Sequence, residues 1–200
     1  MADVSDNFNR ANENPLSNGG KWIKPVWGTG NMVVQTNVVS SSSANVTSVA
    51  LWTANGFAND QFSQFTVTGA GNYAYIFSFV RANTSNGGDS QNCYGLAIHT
   101  YVANISYIFK VVNGVSTNLG AALPYIANGQ TIKLEVVGST ISLYLGGAFQ
   151  TSRNDSDILF GYPGIGRNSA SVFTGATIDN WSGGPIREGR AFSPIPAGRP

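Results

Sequence analysis

The 200-residue chain predicts an all-β fold of the sandwich or barrel type. Three observations carry that prediction. Apolar residues recur with a period of two along most of the chain, and helical periodicity is nearly absent. Gly, Asn and Ser separate these runs at intervals of about 8–12 residues. Only 10% of residues are charged, against roughly 25% in ordinary globular proteins, while aromatics reach 12% and Gly numbers 24. That balance describes a β-protein with long polar loops and excludes a disordered chain, which would lack aromatic and β-branched residues.

The elements follow in chain order. Residues 31–40 (NMVVQTNVVS), 48–54 (SVALWTA) and 61–69 (QFSQFTVTG) each read as a strand between Asn, Ser and Gly. Residues 72–82 (NYAYIFSFVRA) are apolar on both parities, which predicts a central strand. In 94–102 (YGLAIHTYV), Tyr94, Leu96 and Ile98 share one face and His99 takes the other. Residues 105–120 form a hairpin around Asn113-Gly114, a favoured type I′ pair. Residues 130–150 form another that turns at Gly138-Ser139, with Ile132, Leu134 and Val136 inward and Lys133 and Glu135 toward water. GYPGIGR (161–167) is a turn entering a short strand, and SVFTGATIDNW (171–181) supplies the last one.

Length and composition bound the rest. Two hundred residues suit one large domain that needs no staples. A formal net charge of +1 gives no support for nucleic-acid steering. The single Cys93 excludes an internal disulfide framework. The opening MADVSDNF has neither a basic nor an apolar leader region, and no apolar run approaches the ~20 residues of a membrane span. After Gly183-Gly184 the composition shifts. Residues 1–184 hold eight Lys and Arg against nine Asp and Glu, a net of −1, whereas 185–200 hold three Arg against one Glu, a net of +2, with four prolines. The expected organisation is therefore a body over 1–184 and an extended Pro- and Arg-containing C-terminal arm over 185–200.

DNFNRAN (6–12) leading to a Trp, the hairpin IKLEVVGSTISLYLGG, then GYPGIG and a terminal IDNWSGG occur in an order that resembles the concanavalin A-like (laminin-G-like) jelly-roll superfamily of lectins and glucanases, over roughly residues 3–184. The resemblance implies a two-sheet antiparallel β-sandwich of about six or seven strands per sheet. In such a fold the first and last strands pair, shielding otherwise open edges. Phe8 and Trp181 are then core residues, while Asp6, Asn7, Asp179 and Asn180 bond turn backbone. Some superfamily members hold a structural Ca²⁺, for which Asp6 and Asp179 are the candidate ligands here, with Asp3 beside them and Asp155 and Asp157 as a second acidic pair. Neither group has the regular spacing of a dedicated calcium loop, and no other cofactor is implied.

Three functions are weighed. Catalysis finds no support: hydrolases of this fold carry Glu-x-Asp-x-x-Glu on one strand, and the only glutamates are the scattered Glu13, Glu135 and Glu188. His99 has no second His, Cys93 reads as a small buried apolar group, and the glycines of GYPGIGR precede no helix that could bind phosphate. Glycan binding needs aromatic platforms, and Trp27, Trp52, Tyr101, Tyr107 and Tyr162 are the candidates, with Trp22 also available. Assembly is the third: sequences of this look resemble bacteriophage virion proteins, where the jelly roll decorates capsids or serves tails. The expected function is a non-catalytic virion surface protein, assembled in the host cytoplasm. It would bind capsid or tail subunits, associate with copies of itself and display a lectin-like face to host glycans, with no nucleic acid or membrane partner. Its arm would anchor through Phe192 and Ile195, with Arg187, Arg190 and Arg199 bonding acidic groups. The alternative is a secreted, extracellular bacterial carbohydrate-binding module.

Overall fold

Fifteen strands account for the regular structure of the computed structural model, which describes residues 2–69, 74–84, 91–99, 106–123, 126–169 and 175–186 and contains no helix among them. In chain order they are β1 (Val4–Asp6), β2 (Trp22–Ile23), β3 (Met32–Gln35), β4 (Val38–Ser41), β5 (Ser48–Trp52), β6 (Gln61–Thr68), β7 (Ala74–Ala82) and β8 (Cys93–His99). Then come β9 (Tyr107–Val112), β10 (Val115–Asn118), β11 (Thr131–Val137), β12 (Thr140–Leu145), β13 (Ala148–Asn154), β14 (Tyr162–Ser169) and β15 (Thr177–Pro185).

They form two antiparallel sheets, so the two-sheet sandwich expected from the sequence is what the chain adopts. The first, of eight strands, runs β13-β12-β11-β6-β15-β4-β3, with β1 also on β15. The second, of seven, runs β10-β9-β8-β7-β14-β5-β2 and has β7 at its centre, as its two-sided apolarity requires. Alternation decides the core. Phe65 and Val67 of β6, Leu134 and Val136 of β11, and Ile178 of β15 meet Ile76 and Val80 of β7, Leu96 and Ile98 of β8 and Ile165 of β14.

A tryptophan cluster closes one part of that core. Trp22 lies 4.5 Å from Trp181 and 5.3 Å from Trp52 between ring centroids, and Trp52 stacks on Trp181 at 5.3 Å. A buried indole needs a partner for its N–H. Here Trp22 donates to Asp6 Oδ2 at 2.8 Å, Trp181 to Ser63 Oγ at 3.0 Å, and Trp52 to Asn55 Oδ1 at 3.0 Å.

Four expectations about the strands change. Residues 31–40 are a hairpin of β3 and β4, turning at Thr36 and Asn37 with φ of 53° and 63°. Residues 130–150 contain a second turn at Gly146-Gly147, so β11, β12 and β13 form a meander. Lys133 and Glu135 are half-buried: the ammonium contacts Glu135 at 2.6 Å and sits 4.2 Å from the Tyr144 ring centroid, because the neighbouring strand folds its aromatic side chain over them. Finally, Gly183 and Gly184 continue the last strand, which pairs with β6 as far as Pro185 opposite Gln61. A Cβ on Gly183 would stand 2.6 Å from the Trp181 ring, and one on Gly184 would stand 2.8 Å from Asp3 Oδ1. Packing demands these glycines.

Candidate functional site

The first and last strands do pair: Val4, Ser5 and Asp6 lie opposite Gly183, Ser182 and Trp181. Phe8, fully buried, and Trp181, 1% exposed, point into the core. Asp6 organises this closure. Its Oδ1 accepts the Phe8 N–H at 2.9 Å and Arg10 Nη1 at 2.6 Å; its Oδ2 accepts Trp22 Nε1 at 2.8 Å and Asn18 Nδ2 at 3.1 Å. Burial pushes the carboxyl up in pKa, but the bonds from Arg10, Phe8 and Trp22 outweigh it and hold Asp6 below the ordinary carboxylate value.

That geometry gives Asp6 the closure role rather than the calcium one. Four donors, one of them a guanidinium, occupy both Asp6 oxygens, whereas calcium is held by 6–8 oxygens. Asp179 instead bonds Asn180 through its N–H and carboxamide. Asp155 and Asp157 hold Lys110 at 2.5 and 2.6 Å, and Asp155 also accepts the Tyr94 hydroxyl. Burial pushes the Tyr94 phenol up to about 12. Among the described residues, no three His, Cys, Asp or Glu side chains gather as a metal site.

The platform residues fall in different places. Trp52 is 4% exposed inside the tryptophan cluster, so it offers no ring face to a ligand and leaves the candidate list. Tyr101 and the arm residues Arg187, Arg190, Phe192, Ile195 and Arg199 lie outside the described residues. Trp27, Tyr107 and Tyr162 are half-buried and belong to one surface, the outer face of the second sheet.

Strand parity builds that face. Ile76 and Val80 of β7 point into the sandwich, so Tyr75, Phe77 and Phe79 point out. Their rings stack in a ladder, with Tyr75 and Phe77 at 6.2 Å and 17° and Phe77 and Phe79 at 5.8 Å and 20°. Phe109 of β9 meets Phe77 and Phe79 edge-on, and Trp27 meets Phe79 in the same way at 5.8 Å. Trp27 is held by its N–H, which donates to the Asn83 carbonyl at 2.8 Å. Glycines make room: a Cβ on Gly95 would stand 2.3 Å from Phe109, on Gly164 2.4 Å from Leu51, and on Gly166 2.9 Å from Phe79. The glycines of GYPGIGR thus let bulky side chains lie across a central strand.

The face carries almost no charge. Besides aromatic and aliphatic groups its outward positions carry Ser116, Asn118 and Asn168, with Cys93 and His99 buried beneath. Burial pushes the Cys93 thiol up to about 12 and the His99 imidazole down, so both are neutral at pH 7. His99 is 4% exposed with its ring edge-on to Tyr75 at 4.9 Å. Among the described residues, no Asp or Glu projects from this side of the sheet's seven strands. Phe77 and Tyr75, which extend the platform beyond the expected tyrosines and tryptophans, were signalled by the two-sided apolarity of residues 72–82.

No protein-family model matches this chain, and no curated protein sequence does. Solved structures do. The carbohydrate binding module CBM66 from Bacillus subtilis superposes with a TM-score of 0.55 at 18% identity, covering 82% of this chain and 94% of that one. A Bacillus subtilis protein of unknown function with a galectin-like fold gives 0.60 at 13% identity, covering 87% and 94%. A prokaryotic β-1,3-1,4-glucanase (lichenase) from a mouse hindgut metagenome gives 0.59 at 10%, covering 93% and 100%. The chain therefore has the galectin-like, concanavalin A-like jelly-roll fold, one that both binding modules and glycosidases use.

Proposed function

We propose that this chain is a non-catalytic carbohydrate-binding module that takes glycans on the outer face of its second sheet. One observation carries the reading: that face presents half-exposed Trp27, Tyr75, Phe77, Tyr107 and Tyr162 in place of charges. Sugar rings bring apolar C–H surfaces that stack on such rings, and their hydroxyls bond nearby phenol and carboxamide groups. The likeness to the carbohydrate binding module CBM66 supports the same reading. Glycoside hydrolysis needs two carboxyl groups across the scissile bond, and the described part of this face has none to contribute. A virion surface role finds no support in the fold or in the structures it resembles, and the arm on which that role rests lies outside the described residues.

A glycan array followed by calorimetry on the best polysaccharide tests the proposal. Binding is expected, and Phe77→Ala with Tyr107→Ala should weaken it by at least about tenfold, roughly 1.4 kcal/mol, with an unchanged circular dichroism spectrum. No binding to any glycan at millimolar concentration would overturn the reading, and cleavage of a bound glycan would overturn its non-catalytic part.

A further inference from the structure

A second surface has different chemistry and a different structural origin. Strand β15 changes partners along one edge: Ile178 pairs with Val39 of β4, whereas Trp181, Ser182 and Gly183 pair with β1. Asp179 and Asn180 fall between the two. The register against β6 shifts in the same place, and Asn180 takes a φ of 51°. Beside this irregularity, between β1 with the loop that follows it and β15, lies a cleft of about 570 Å³, in the size range of about 300–1,000 Å³ usual for ligand pockets.

The cleft walls are Ser5, Asn7, Asn9, Asn18, Asn180 and Ser182, and its floor is the Asp6–Arg10 pair beside Trp181. The floor is electrically satisfied. Asp6 accepts its four donors, and Arg10 bonds Asp6 at 2.6 Å and Glu13 at 3.1 and 3.0 Å while its guanidinium lies 5.7 Å from the Phe8 ring centroid. Trp181 is 1% exposed, so an apolar ligand finds nothing to cover. With the positive charge of Arg10 committed to two carboxylates, an anion gains little, and a cation meets no carboxylate free of donors in the floor. What the walls do offer is carboxamides and hydroxyls, which both donate and accept, as sugar hydroxyls do.

We propose that this cleft is a second sugar site, separate from the aromatic face, that holds one neutral sugar unit by hydrogen bonds without ring stacking. It rests on the cleft's own geometry and stands whether or not the aromatic face binds. Asn9 is the informative position, because it is exposed and, among the described residues, the one bond it donates is its backbone N–H to Asn7 Oδ1, so its side chain can be removed without loss of fold.

Amide NMR titration of the full chain with methyl glucoside, galactoside, mannoside and fructoside tests the site, with methyl glucuronide as the charged control. At least one neutral probe should shift the amides of Asn9, Asn180 and Ser182. Asn9→Ala should weaken that response roughly two- to tenfold, the worth of one hydrogen bond, and Phe77→Ala should leave it unchanged. The proposal is overturned if no neutral probe moves those amides, if Asn9→Ala binds as well as the parent, or if the glucuronide binds more tightly than the neutral sugars. Shifts confined to Phe77 and Tyr107 also overturn the cleft while leaving the aromatic-face reading intact.

Discussion

Asp6 shows how a polar residue near the front of a chain becomes structural. Its side chain is 2% exposed and its ion pair with Arg10 is one-quarter exposed on the arginine side. Breaking a buried charged network of this kind strands the remaining donors. Asp6→Asn keeps one oxygen but places its N–H₂ group against one pair of donors, either Arg10 and the Phe8 N–H or Trp22 and Asn18, and should cost about 2–3 kcal/mol, read as a lower urea midpoint. The same network makes stability depend on acid. Because the native carboxyl titrates below its ordinary value, its contribution is complete above the unfolded pKa, and it is lost as pH falls through the lowered native pKa. Urea midpoints measured from neutral pH down into the acid range should therefore drop less in Asp6→Asn than in the parent. The sequence pointed to Asp6 and to Phe8 and Trp181 around it, since two Asp-Asn-aromatic stretches at opposite ends of a β-chain invite pairing. It could not show which donors would fill the carboxylate, because Arg10, Asn18 and Trp22 reach Asp6 only once the loop folds back.

At the level of elements, turns with strong local chemistry were legible. Asn113-Gly114 forms the expected hairpin with φ of 50° and 79°, values Asn and Gly tolerate well. The turn at Thr36-Asn37 was missed because a β-branched residue at positive φ is a poor local signal, and neighbouring β15 and the Glu13–Val34 bridge hold the hairpin in place. The last strand was read as ending at Trp181, because the two glycines that follow weaken a strand signal, yet β15 runs through them to Pro185 and they pass beneath Trp181 and Asp3. Gly183→Ala tests this packing: a Cβ 2.6 Å from the Trp181 ring should cost about 1–3 kcal/mol, visible as a lower Tm. An unchanged Tm would show that the Trp181 ring can move aside.

Over the whole molecule, closure of β1 on β15 ties the two ends of the described chain into one sheet, and the last described backbone bond is Ile186 N–H to the Asp60 carbonyl. The sequence by itself determined the all-β class, the alternation that fills the core, and the near-neutral net charge, because period, turn chemistry and composition are local properties that survive without a fold. Tertiary structure alone decided which aromatics are buried and which are displayed. Trp52 and Trp27 look equivalent in sequence, but one enters the tryptophan cluster and the other lies over Phe79 on the outer face. It also decided that the irregular middle of β15 comes to lie beside the loop after β1, with a polar cleft between them. Both outcomes depend on which strands become neighbours across more than a hundred residues of chain, and that pairing is set by how the two sheets pack, not by any stretch read alone.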